Sequence, residues 1–127
     1  MDSRLLYSIT HALTNKIDWT KSNQEEWIHF GTAIEIDYQK IKNVIVKQFK
    51  KDDVYIVYSR SESGHLKYHK ALFNNLIGKQ NFFLWNNKLT KVIAFNSVGI
   101  LRCGQINYNT STTSDCHPNP IDLNFLK

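Results

Sequence analysis

The chain has 127 residues, 42% apolar and 13% aromatic, and its 16 Lys and Arg against 11 Asp and Glu give a formal charge of +5. That length fits one domain, and a chain of this size and apolar content can build a core without disulfides or a structural metal. No run of about 18 apolar residues occurs, which excludes a membrane-spanning helix. The positive balance favours an acidic partner: nucleic acid, a protein patch or a membrane surface.

The first residues, Met1-Asp2-Ser3-Arg4-Leu5-Leu6, do not read as a signal peptide, because His11 and Lys16 interrupt the apolar stretch that follows. Residues 3–16 read as a helix with Ser3 as N-cap and Leu5, Leu6, Ile9 and Leu13 at helical spacing. Residues 18–23 are polar and turn-like. Residues 25–30 carry Trp27, Ile28 and Phe30 and fit a short helix or a strand. After Gly31, residues 32–36 suggest a strand. Asp37 is placed to cap a helix over residues 38–50, with Ile41, Val44, Ile45 and Phe49 as its apolar stripe. Lysines in its last turn suit the negative end of the helix dipole.

Residues 54–58 form the clearest strand by β-branched and aromatic content. Residues 61–64 read as a loop. Residues 66–77 read as a second core-packing helix, with Gly78 just past its end. Three strands follow, over residues 82–85, 89–95 and 98–103, joined by turns at Asn86-Asn87 and Asn96-Ser97. The pattern predicts an α+β fold, two or three helices packed on a mostly antiparallel sheet in a single domain. That domain covers residues 1–106. Residues 107–127 form a polar tail rich in Ser, Thr, Asn and Pro, whose last residues carry enough apolar content to dock back.

Two cysteines are present, Cys103 in an apolar run and Cys116 in the tail. Without a CxxC or a larger framework they fit a reducing, cytoplasmic location, with Cys103 as a buried thiol.

Five histidines invite a chemical reading. His65 and His69 stand four apart, a spacing that on a helix can hold a metal. The intervening Leu66-Lys67-Tyr68 lacks the acidic general base of the zinc-protease motif, and Lys67 and Lys70 repel a dication. Cys116-His117 is a weaker pair. A metal-free ribonuclease needs a base, an acid and a cation. His65, His69 and Lys67 or Lys70 are the candidates, with His29 as a substitute histidine. Aromatic and basic residues from Lys47 to Lys70 also admit a nucleic-acid surface, but Glu and Asp interrupt it and no known nucleic-acid module signature occurs. No phosphate loop, nucleophile elbow or calcium loop is present. No catalytic set, metal site or cofactor is therefore assigned.

The block from Tyr58 to Gly104 is the most distinctive. It contains Ala71-Leu72-Phe73-Asn74-Asn75-Leu76-Ile77-Gly78, then Asn81-Phe82-Phe83-Leu84-Trp85. Lys91-Val92-Ile93-Ala94-Phe95-Asn96 and Val98-Gly99-Ile100-Leu101-Arg102-Cys103-Gly104 complete it. This succession resembles the immunity proteins of bacterial contact-dependent growth inhibition systems, the CdiI type. The resemblance implies a cytoplasmic protein that binds and neutralises a toxin domain. Such domains are often nucleases, including RNases of the EndoU or RNase A-like kind. It implies no catalytic residues.

A basic inhibitor calls for an acidic patch on its toxin, met one-to-one by aromatic anchors and a few ion pairs. Glu62, His65, Tyr68, His69 and Lys88 are the candidate toxin-binding residues. Trp85, Phe82, Phe95 and Ile93 are assigned to the core, and Arg60 and Arg102 to internal pairing with carboxylates. A small RNase and a nucleic-acid-binding module are the alternatives.

Overall fold

Two uninterrupted apolar runs form the centre of the sheet. In a computed structural model that describes residues 2–20 and 27–108, these runs are Phe82–Asn86 (β5) and Lys91–Asn96 (β6). Strands without polar alternation need cover on both faces, and the fold supplies it. Ile100–Gln105 (β7) pairs with β6, and Val54–Val57 (β3) pairs with β5. Ser63–His65 (β4) lies outside β3. Asp18–Thr20 (β1) and Ile28–His29 (β2) share the outer edge of β7. All the pairings are antiparallel, in the order β1-β7-β6-β5-β3-β4 with β2 alongside β7.

Among the described residues, three α-helices cover the two faces. Ser3–Leu13 (α1) sends Leu6, Ile9 and Leu13 against Val57, Trp85 and Val92. Tyr38–Phe49 (α2) and Lys70–Leu76 (α3) pack on the opposite face, where Ile41, Phe49 and Leu76 meet Ile56, Leu84, Ile93 and Phe95. Alternate residues of each central strand serve opposite layers, as the period of two dictates. Phe82 and Phe95 stack with ring centroids 4.5 Å apart, and Phe73 meets both edge-on at 5.8 Å. No helix among the described residues is long and apolar enough to cross a membrane.

The fold agrees with the predicted α+β class and with α2 in particular. Asp37 caps α2 by accepting the Lys40 N–H at 3.0 Å. Gly78 follows α3 at φ 73°, a left-handed conformation that glycine adopts without a Cβ penalty. Trp85, Phe82, Phe95 and Ile93 are all buried, as assigned.

Several boundaries differ. The N-cap of α1 is Asp2, whose carboxylate accepts the Leu5 N–H at 3.2 Å. Ser3 is the first helical residue. Its hydroxyl donates to Arg60 O at 2.6 Å and accepts the Ser63 N–H at 3.1 Å, fastening α1 to β4. Residues 18–20 are a strand rather than a turn, because β7 offers them an edge. Residues 28–29, left between helix and strand by sequence, pair with the same edge.

Ala33–Glu35 forms a 3₁₀ turn where a strand was expected. Gly99 O receives the N–H groups of both Phe30 and Gly31, and Phe30 O receives that of Asp37, so the chain folds back before it can extend. Residues 63–65, the first two of them expected in a loop, form β4. Ser63 and Gly64 lack strand propensity but are buried and packed beneath α1, and burial outweighs propensity there. Ser63 also closes the β3–β4 turn, accepting the Tyr58 N–H at 3.0 Å and donating to Ser59 O at 2.7 Å.

The expected helix over 66–77 is split. Leu66–Tyr68 is a 3₁₀ turn, and α3 starts only at Lys70 because His69 sits at φ −128°, ψ 31°. The central hairpin turns later than expected, since Asn86 completes β5 and β6 begins at Lys91. The next turn takes in Val98, so β7 starts at Ile100. Beyond β7, Tyr108 packs against the α1 layer and donates its hydroxyl to Leu89 O at 2.8 Å. The tail expected from 107 onward, with Cys116 and His117, falls beyond Tyr108 outside the described residues, as do residues 21–26.

Candidate functional site

The split of the 66–77 segment creates a cluster. His65 ends β4 with its ring 5.1 Å from that of Tyr55 and 5.7 Å, edge-on, from that of Tyr68. Its Nδ1 accepts the Lys67 N–H at 3.1 Å, which leaves the proton of the neutral ring on Nε2. Nε2 faces Asp53 Oδ1 at 3.7 Å. His69 Nδ1 donates to His65 O at 2.8 Å. The Lys67 ammonium lies 5.6 Å from the Tyr68 ring centroid. The turn thus holds its backbone through two imidazoles while Tyr68 points outward, 75% exposed.

Lys88 belongs to the same end of the sheet. It sits in the β5–β6 loop, which is tied to the α2–β3 turn by Asn87 N–H donating to Asp53 O at 3.0 Å. Asn86, 1% exposed, organises that loop. Its amide oxygen accepts the N–H groups of Thr90 and Lys91, and its NH₂ donates to Thr90 Oγ1 and Asp52 Oδ2. Leu89 is held at φ 58° and yet is 2% exposed. Burying that leucine is what keeps Lys88 at the exposed tip. Glu62 does not join the group. It lies in the β3–β4 turn, at the opposite end of the hairpin whose far end is His65.

This geometry bears on the chemical alternatives. His65 and His69 do not share a helix face, so the spacing argument for a metal pair lapses. Among the described residues no group of three His, Cys, Asp or Glu is placed to hold a metal ion. His65 spends its basic nitrogen on a backbone N–H, and His69 spends one nitrogen on a carbonyl. A substrate proton would have to displace the Lys67 N–H before His65 could act as general base, whereas His69, donating from Nδ1, keeps Nε2 as its basic nitrogen.

A second arrangement was not expected from sequence. The register pairs Thr20 with Cys103 and Ile28 with Leu101, so β1 and β2 are two halves of one edge that parts opposite Arg102. Trp19 and Trp27 stand on either side of the break. The Arg102 guanidinium lies 3.8 Å from the Trp19 ring centroid and 4.5 Å from that of Trp27. Desolvation between the two rings pulls the Arg102 pKa below its ordinary value. Each such contact contributes about 0.5–2 kcal/mol, the larger value where water is excluded. Arg102 therefore packs internally against two indoles, which its strand position faces. Arg60 likewise lies 6.0 Å from the Tyr7 ring centroid.

Beside this stack a cleft of about 160 Å³ opens on the sheet face that α1 leaves uncovered. Phe83 and Ala94 line it together with the Trp-Arg-Trp group, and Asn81 and Asn96 contribute amides. Gly104, directly across from Trp19, makes the stack possible. A Cβ there would lie 2.5 Å from Ile17 Cγ2 and 2.8 Å from Trp19 Cε3. Gly104→Ala is therefore expected to destabilise the fold by about 1–3 kcal/mol through overpacking. Urea unfolding measures the loss, and an altered tryptophan emission spectrum reports the shifted Trp19.

Cys103 is half-buried beneath α2, and desolvation pushes its thiol pKa up to about 11, against the smaller opposing pull of Lys47. In a Cys116→Ser variant, Cys103 alkylation by iodoacetamide is expected to stay slow at neutral pH and to accelerate only as the pH approaches that value. The sign for stability follows by linkage. Between the ordinary thiol value and 11 the unfolded chain binds fewer protons, so Cys103 lowers stability as the pH rises through that window.

No protein-family model matches this chain, and neither curated proteins nor solved structures include a match to it.

Proposed function

We propose that this protein acts by binding: it is an immunity-type inhibitor that engages an acidic surface on a cognate toxin domain, one-to-one, in the cytoplasm. The observation that carries the binding reading is Tyr68. It is a large aromatic residue, mostly exposed, yet fixed against His65 and flanked by Lys67. Pre-positioned aromatics surrounded by charge are the usual anchors of protein interfaces. Lys88 extends the positive surface at this end of the sheet.

Charge supports the acidic partner. Lys40, Lys42, Lys47, Lys50 and Lys51 are all exposed, and no acidic residue falls between Asp37 and Asp52. Such a field steers an acidic partner into contact and speeds association. The toxin class rests on the resemblance of the Tyr58 to Gly104 block to immunity proteins. A nuclease, an RNase of the EndoU or RNase A-like kind, is the toxin that resemblance indicates.

The test is co-expression with the C-terminal domain of a large exoprotein encoded immediately upstream. A stable one-to-one complex and loss of that domain's nuclease activity support the inhibitor. Cleavage of RNA by the purified chain itself, abolished by His65→Ala or His69→Ala, would make it an enzyme and overturn the reading.

A further inference from the structure

The cleft beside Arg102 lies away from the Tyr68 surface, and its lining has a definite chemistry. Its volume, about 160 Å³, matches the roughly 150 Å³ that accommodates a single benzene-sized ring. Its walls are the rings of Trp19, Trp27 and Phe83, with Ala94 beside them and the Arg102 guanidinium against both indoles. The polar groups are mostly donors. Asn81 Oδ1 is occupied by the Ser97 N–H at 2.7 Å, and Asn96 Oδ1 by the Val98 N–H at 3.0 Å. Each asparagine therefore has its NH₂ group to offer. Thr14 donates its own hydroxyl proton to Thr10 O at 2.7 Å, which leaves its oxygen as an acceptor.

We propose that this cleft binds one pyrimidine-dione base, uracil or thymine, of a single-stranded nucleic acid. Such a base stacks through its face on an aromatic ring of the wall. Its two carbonyl oxygens accept from the asparagine NH₂ groups, and its ring N–H has the Thr14 oxygen as acceptor. A purine is too large for a one-ring cleft. A phenylalanine side chain from a protein partner would leave the amide donors without acceptors, at a desolvation cost. The chain's formal charge of +5 suits the attached phosphates. The inference stands apart from the toxin-binding reading, since it uses none of the same residues.

Tryptophan emission of the full chain supplies the readout, because Trp19 and Trp27 line the cleft while Trp85 is fully buried. Titration is done with oligo(U), oligo(A) and, as the protein-side-chain probe, N-acetyl-tyrosinamide. Oligo(U) is expected to quench emission and to bind about tenfold more tightly than oligo(A). Trp27→Leu and Asn81→Ala, each confirmed folded by circular dichroism, are expected to erase that preference. Equal binding of the two oligonucleotides would reduce the interaction to charge and overturn the proposal. So would binding unaffected by both variants, quenching by N-acetyl-tyrosinamide alone, or no quenching at all.

Discussion

Trp85→Ala is expected to cost about 3–5 kcal/mol of folding stability, the range for removing a large buried aromatic. Trp85 is 0% exposed and lies in the layer between α1 and the sheet, opposite Tyr55 on β3 and Val92 on β6. Both neighbouring strands are pinned by their own pairing, so the void cannot close by moving them together. The indole Nε1 finds no hydrogen-bond acceptor among the described residues. Trp85→Phe, which keeps most of the ring and removes that N–H, should therefore cost much less than the alanine change. Chemical denaturation of the two variants checks both statements. Similar losses for both would mean that the N–H is satisfied and the indole's own geometry matters more than its volume.

Asn86→Ala should produce the next largest loss, about 2–4 kcal/mol. It removes four hydrogen bonds of about 0.5–1.5 kcal/mol each and leaves the Thr90 and Lys91 N–H groups without their acceptor. The same bonds hold Leu89 in its left-handed conformation, so the loop itself should loosen. Hydrogen exchange at the Thr90 and Lys91 amides is expected to accelerate with the drop in stability. Asn86→Asp separates the two roles of the side chain. It keeps an acceptor for those amides but replaces the donor to Asp52 with a second carboxylate, so it too destabilises at neutral pH and less so in acid.

Most of the fold was legible where one local rule governed the chain. The apolar runs Phe82 to Trp85 and Val92 to Phe95 marked two of the predicted strands and the core residues on them. Asp37 and Gly78 marked helix ends by mechanisms that need only the backbone. Legibility failed where partners came from far along the chain. Ser63-Gly64-His65 is a strand because α1 buries it against β3, and nothing in three such residues says so. Asp18–Thr20 is a strand because β7 has a free edge.

The candidate surface was half legible. Tyr68 and His65 were found as exposed residues of one segment, and the fold does bring them together, with Lys88 at the same end. Their geometry was misread because the segment was taken as one helix, and Glu62 was misplaced because its loop was not seen to be a hairpin turn. The Trp19–Arg102–Trp27 group had no local signal. Trp19 and Trp27 are eight residues apart and Arg102 is distant from both, and only the register of β1 and β2 on β7 places them around one guanidinium. A strand-end arginine in a turn-rich neighbourhood pointed to carboxylates and gave no hint of the two indoles against which it lies.

The central claim is that Tyr68 anchors a protein partner. Calorimetric titration of the toxin domain with wild-type chain and with Tyr68→Ala tests it most directly. Tyr68 is largely solvated, so its loss should leave the unfolding midpoint unchanged, while an anchor residue of about 2 kcal/mol or more weakens binding by about thirtyfold. An unchanged midpoint with that loss of affinity is the predicted result. Wild-type affinity in Tyr68→Ala would contradict the account.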